Sequence, residues 1–178
     1  MNSIITGTGS ALPKQRITNS HFEDWEFFGK DGNRIEKPGS EIVAKLEAIS
    51  GIVERRFIGD EEETIDVLAE ASLKALEASG IDKNELEGII VAHNAGNMLV
   101  DSGTPGGTSF HTVPNLAAVL KNRLDVQNHE CPSYDILFGC PGWVEGMIQA
   151  NRLIRSDEAK HVLVVGVEVA SRLLDPHD

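Results

Sequence analysis

Disulfide chemistry, membrane insertion and nucleic-acid binding are each disfavoured by what this chain has too little of. It carries two cysteines, Cys131 and Cys140, too few for a disulfide framework. Its apolar runs fall short of the ~18 to 20 residues that cross a bilayer, so no membrane partner is expected. Sixteen basic residues face 28 acidic ones, a formal net charge of -12, whereas a nucleic-acid surface needs clustered Lys and Arg to displace counterions from phosphates. The pairs Arg55–Arg56 and Arg152/Arg155 read as solvated charge. Cys131, between His129-Glu130 and Pro132, lacks a further ligand at metal-binding spacing; no metal and no cofactor are expected, and Cys131 reads as structural. With no signal-peptide pattern ahead of Ser3-Ile4-Ile5-Thr6, a reducing cytoplasm is the expected compartment.

What is present is a globular composition. The 178 residues are 40% hydrophobic and 25% charged, enough for one domain with a core or for one lobe of something larger. Residues 3–6 read as a strand. The following Gly7-Thr8-Gly9-Ser10 reads as a turn and not a phosphate cradle, since Leu12 stands where a third glycine would be. Helices are expected at 20–28 and 39–49, separated by a polar insertion loop at 29–38, with Gly51 as a stop. An extended arm at 52–58 precedes a helix at 64–79, whose first turn is favoured by the acidic Asp60–Glu63 run and which ends at Gly80. The run Gly88-Ile-Ile-Val-Ala92 suits a strand buried on both faces, and residues 93–112 form a long loop at a pocket or interface. A helix at 114–124, a strand at 133–138, a helix at 141–155 and a strand at 161–169 complete an alternating order. That order predicts an α/β fold with a mixed, mostly parallel sheet and helices on both faces.

The stretch Asp135-Ile-Leu-Phe-Gly-Cys-Pro-Gly-Trp143 carries the most chemistry. Pro141 suits a first helical turn, because its missing N–H has no intrahelical partner to lose. Cys140 therefore falls at or beside a helix N-cap, where unpaired N–H groups and the positive end of the dipole favour a thiolate. The strand-to-helix turn presents it at the C-terminal edge of the sheet, where ligands bind in open α/β folds. Gly142, Gly146 and Ala150 recur every four residues as a smooth strip for close packing. Trp143, Val144, Met147 and Ile148 make the rest of the helix apolar, so it is expected to lie buried between two layers. The alternative, a small buried hydrophobe, is the common fate of a free cysteine.

Four blocks together resemble the N-terminal half of ketoacyl-acyl-carrier-protein synthase III, in the thiolase superfamily. They are Gly7-Thr-Gly-Ser-Ala-Leu-Pro13, Gly51-Ile-Val-Glu-Arg-Arg56, Asp135 through Gly142 and His161 through Arg172, in family order over almost the whole chain. The resemblance implies a thiolase-like half spanning 1–178, one of two similar halves that together form a layered core. It implies that Cys140 is the catalytic nucleophile, taking an acyl group from a thioester before a malonyl thioester loses carbon dioxide and attacks the acyl-enzyme. The backbone N–H of Cys140 would donate to the oxyanion. Pro114 matches a family proline, which places Val113 where a side chain enters the partner subunit's acyl pocket in similar homodimers. Lys45 and Ile49 replace the Trp and Arg that flank the adenine of coenzyme A in relatives. The loss of that stacking surface counts against coenzyme A as the primer and points to an acyl-carrier-protein-bound or different acyl donor. The family's decarboxylation-promoting His and Asn lie in the C-terminal half, so this chain by itself is expected to be incomplete for catalysis in fatty-acid or polyketide synthesis.

Two rivals stand beside that reading. One is a non-catalytic lobe that assembles with a partner chain through an apolar inner face. The other is a Cys-His thioester hydrolase that uses His93, at the C-terminal end of a predicted strand.

Overall fold

The computed structural model describes residues 3–96, 98–100 and 108–173. In chain order the elements are β1 (Gln15–Thr18), a 3-10 turn (Asn19–Phe22), α1 (Gly39–Ser50), β2 (Glu54–Phe57), α2 (Thr64–Ser79), a 3-10 turn (Lys83–Glu85) and β3 (Gly88–His93). After these come β4 (Met98–Val100), β5 (Thr108–Phe110), α3 (Leu116–Arg123), β6 (Ser133–Leu137), α4 (Gly142–Arg155), β7 (Val162–Gly166) and α5 (Ala170–Leu173). The chain divides into two compact units, one of residues 1–12 with 60–169 and one of residues 13–59 with 170–178.

The larger unit is built on a parallel sheet with strand order β6-β3-β7. Every residue of central β3 is buried, which explains why Gly88 to His93 reads as one apolar run ending in a histidine rather than as an alternating strand. Alternation reappears in what each face touches. Ile89 and Val91 of β3, with Leu163 and Val165 of β7, join a core cluster with Leu68 and Ala69 of α2 and Leu116, Ala117 and Leu120 of α3. Ile90, Val164 and Ile136, one residue out of phase, surround the position where a Gly146 side chain would begin. Thus α2 and α3 cover one face and α4 the other, the expected α/β arrangement.

Helix boundaries follow their capping chemistry. Gly51 and Gly80 take left-handed φ of 69° at the ends of α1 and α2, a conformation that glycine adopts without a Cβ penalty. Asp66 Oδ2 accepts from the Glu63 N–H at the start of α2, and Arg123 of α3 pairs with Asp66.

Residues 3–6 are not a strand. Side chains built on Gly7 and Gly9 would collide with the backbone of α2 at Ala75 and Ala71. The segment therefore runs flush against that helix instead of joining the sheet, and Ile4 and Ile5 stay exposed. The glycines serve close approach, not phosphate binding.

In the smaller unit β1 and β2 form an antiparallel ribbon that pairs Gln15 with Phe57 and Thr18 with Glu54. The expected helix at 20–28 is only a 3-10 turn. The rings of His21, Phe22 and Trp25 pack edge to face, Phe22 stacks toward Phe57, and Arg55 sits 4.7 Å over the Phe22 ring. These ring contacts tie residues 21–25 to the ribbon. Within 29–38, Gly29 donates to the Asn33 carbonyl and Asp31 accepts from the Asn33 N–H and amide. The loop expected at 93–112 contains the antiparallel pair β4–β5; its residues 97 and 101–107 lie outside the described residues.

Helix α4 departs from expectation in one respect. Gly142, Gly146 and Ala150 are buried, but they face the side chains of the sheet. Trp143, Val144 and Ile148 on the other side are exposed, so no second layer covers α4 among the described residues. A Cβ on Gly146 would sit 2.8 Å from Val164 Cγ1 and 3.5 Å from Ile90 Cγ2, against a β-branched side chain with little rotamer freedom. Gly146→Leu should therefore destabilise the protein by about 1–3 kcal/mol despite the better helix propensity of Leu. The measurement is a lower urea midpoint at unchanged m-value.

Candidate active site

Because β3, β6 and β7 are parallel, their C-terminal ends lie at one edge, and the segments leaving them converge there. The β6 exit is Phe138-Gly139-Cys140-Pro141. Gly139 has φ +66°, which a side chain would strain, and its carbonyl accepts from the Gly142 N–H at 2.9 Å. The turn is thereby closed into the first turn of α4. A Cβ on Gly142 would touch that of Ala92 at 3.4 Å, so the helix starts directly over the end of β3. Cys140 is exposed at this tip. Trp143 lies against Gly166 at the end of β7, where a side chain would meet its ring at 3.2 Å.

Polar groups join the three strand ends. Glu168, just past β7, accepts through Oε2 from the Asn94 N–H (2.9 Å) and through Oε1 from the Ala95 N–H (3.0 Å). Asn94 Oδ1 in turn accepts from the Gly139 N–H at 2.8 Å. Nothing in the local sequence marks these contacts, which join residues 45 and 74 positions apart.

On the opposite face of the sheet, Asp135 organises a second set. It lies beside Val91 in the β3–β6 register, and its carboxylate accepts from the N–H groups of Leu116 (2.7 Å) and Ala117 (2.8 Å) at the start of α3. Asn115 adds a third capping bond, accepting from Ala118 N–H at 2.7 Å. His93 Nδ1 accepts from the Gly96 N–H at 3.1 Å. The ring proton therefore resides on Nε2, which donates to Asp135 Oδ2 at 3.0 Å. Burial pushes the Asp135 carboxyl up, but the bonds from His93, Leu116 and Ala117 outweigh it and hold the group below the usual aspartate range.

The structure thus places the sequence-predicted residues differently. Cys140 occupies the helix tip as expected. His93 shares its sheet edge, but both ring nitrogens are engaged within the β3–α3 side of the sheet, so nothing prepares it as a base for Cys140. Cys131 is buried in the core, where burial, opposed by Lys121 and aided by Glu87, pushes its thiol up; it is suited to packing, not to nucleophilic attack. Val113 precedes α3 and is 86% exposed. Lys45 and Ile49 lie on α1, with Ile49 exposed. No group of three or more His, Cys, Asp or Glu residues arranged to hold a metal ion occurs among the described residues, and no helix among them is long and apolar enough to cross a membrane.

A parallel sheet whose edge releases a glycine-faced helix through a cysteine turn, with helices on its other face, is a thiolase-like half. The profile of the 3-oxoacyl-[acyl-carrier-protein] synthase III family matches residues 134–178. The β-ketoacyl-[acyl-carrier-protein] synthase III 1 of Vibrio parahaemolyticus is 33% identical over 178 residues, 100% of this chain and 48% of that protein. The crystal structure of 3-oxoacyl-[acyl-carrier-protein] synthase III from Aquifex aeolicus superimposes with a TM-score of 0.74 at 27% identity, over 98% of this chain and 47% of that one. The Thermus thermophilus enzyme gives 0.73 at 27%, over 99% and 46%. Over its whole length the chain is similar to the N-terminal half of 3-oxoacyl-[acyl-carrier-protein] synthase III enzymes. It spans about half the length of the curated relatives it matches.

Replacing Asp135 tests the second set of bonds. Asp135→Asn keeps one acceptor but turns an NH2 group toward a helix amide, and should cost about 2 kcal/mol at pH 7. The folded carboxyl titrates below its unfolded counterpart, so its stabilisation is present above about pH 4 and is lost as pH falls through the folded value. Urea unfolding across pH should show the gap between wild type and variant narrowing below about pH 4.

Proposed function

We propose that this chain is the nucleophile-bearing half of a β-ketoacyl synthase. In this reading the Cys140 thiolate attacks the carbonyl of an acyl thioester, the thiol of the donor leaves, and a thioester on Cys140 remains. A malonyl thioester then loses carbon dioxide, and its carbanion attacks the acyl-enzyme to form the new carbon-carbon bond and release Cys140. The observation that carries the reading is the exposed Cys140 at the N-terminal tip of α4, over the C-terminal edge of a parallel sheet, with its own backbone N–H available to the oxyanion because the proline falls one residue later.

The acyl and malonyl thioesters, acyl carrier protein and, alternatively, coenzyme A as donor thiol belong to this proposal. So do homodimerisation, with Val113 reaching the partner's acyl pocket, and a role in fatty-acid or related polyketide synthesis. The organisation of 1–178 as one N-terminal lobe, with an insertion at 29–38 and a pocket or interface loop at 93–112, is likewise part of it. Groups that promote decarboxylation would come from the other half, and the chain alone is inactive in this scheme.

One observation also supports assembly with a second body. Trp143, Val144 and Ile148, each 41–54% exposed, lie on the open side of α4. Such a group on one element is more than scattered surface hydrophobicity.

Full-length protein incubated with an acyl thioester should gain one acyl mass on the peptide containing Cys140 and none on that containing Cys131. Cys140→Ser should lower the rate of acylation at least 1,000-fold. A folded wild type with no adduct under conditions that acylate a related synthase overturns the assignment.

A further inference from the structure

We propose that Asn94 is a positioning residue for Cys140 and that Glu168 holds it in place; the inference rests on Cys140 being the acylated nucleophile. The geometry concerns one peptide plane. Gly139 and Cys140 share a planar peptide unit in which the Gly139 carbonyl and the Cys140 N–H point in opposite directions. The carbonyl is committed to the Gly142 N–H at 2.9 Å. The Cys140 N–H, the oxyanion donor of the proposed reaction, is therefore turned away from the body of α4. That fixes one side of Gly139. The other side is free to swing, because at φ +66° glycine populates several backbone regions with little steric preference.

Asn94 removes that freedom. Its Oδ1 takes the Gly139 N–H at 2.8 Å, so both polar groups of Gly139 are bound and the plane that follows it has one orientation. The side chain of Asn94 is itself aimed, since the Glu168 carboxylate binds the consecutive N–H groups of Asn94 and Ala95 with its two oxygens. Charge-assisted bonds of this kind are about twice as strong as neutral ones. Close packing holds the same loop from beyond Ala95: a Cβ on Gly96 would meet Val167 Cγ1 and His93 Cβ at 3.0 Å.

The relay runs Glu168, Asn94, Gly139, Cys140: its first two hops join the exits of neighbouring strands in the order β7, β3, β6, and the last is the Gly139–Cys140 peptide bond. Its effect is expected where preorganised donors act, on the rate of acyl transfer more than on thioester binding.

The experiment uses the full-length protein, with two readouts. Exchange of the Gly139 amide, followed by 15N NMR, needs no acyl donor. Single-turnover acylation of Cys140 separates the maximal rate from the half-saturating thioester concentration. Asn94→Ala should speed Gly139 exchange about tenfold and lower the maximal acylation rate about tenfold, with half-saturation changed less than threefold. Asn94→Asp, which keeps an oxygen acceptor at the same reach, should restore both readouts to within threefold of wild type. Equal exchange in wild type and Asn94→Ala, or no rescue by Asp, overturns the inference. Should Asn94→Ala fail to fold, Glu168→Gln reads the same relay: exchange accelerated threefold or more supports it, and unchanged exchange overturns it. A wild type that never acylates Cys140 overturns the parent reading. A wild type that acylates normally, with both readouts unmoved by Asn94→Ala, overturns this inference alone.

Discussion

The carboxylate of Asp135 is the constraint on which the architecture around the site depends. One half-buried group accepts from two helix amides and an imidazole, and so joins three elements. Without it, α3 would begin with two N–H groups turned toward the sheet and unpaired, and His93 would have a polar proton in a buried place. Each of those costs about 1–3 kcal/mol. The position of Asp135 within β6 also matters, because the strand anchored by this carboxylate leads directly into the Cys140 turn.

The two faces of the sheet carry different loads. On the α2/α3 face, side chains of Ile89, Val91, Leu163 and Val165 interdigitate with leucines in a conventional core. On the α4 face, small residues do the packing: Gly142 and Gly146 lie against Ala92, Ile90 and Val164. The first arrangement supplies burial. The second draws a helix close enough to the sheet for its tip to stand over the strand ends, where the exits of β3, β6 and β7 can bond to one another. Bulkier residues on α4 would lift Cys140 away from Asn94 and Glu168.

Much of this was legible in the sequence because the informative features were local. A continuous apolar run located β3, helical spacing located α2 and α4, and the glycines at 51 and 80 marked helix ends for a steric reason that does not depend on the fold. The misses have a common cause in tertiary contact. Residues 3–6 have a strand-like composition, yet glycines pressed on α2 keep them out of the sheet. Residues 20–28 have helix-compatible residues, yet ring contacts with Phe57 and Arg55 hold a single turn. The placement of Cys140 at a helix tip was legible from its Gly-Cys-Pro setting. Asn94, Glu168 and the capping role of Asp135 were not, because a side chain accepting from a distant backbone amide leaves no periodicity behind.

The open side of α4 follows from the same economy of small residues. A helix that buries only glycine and alanine against its own sheet gains little apolar contact from that side, since those residues remove scarcely any side-chain area from water. Its larger residues, Trp143, Val144 and Ile148, point the other way and remain exposed. A helix so divided is stabilised chiefly by what covers its outer face. In a chain about half as long as its relatives, that face is where a second body would contribute most, to the stability of the helix and to the shelter of the cysteine at its tip from water.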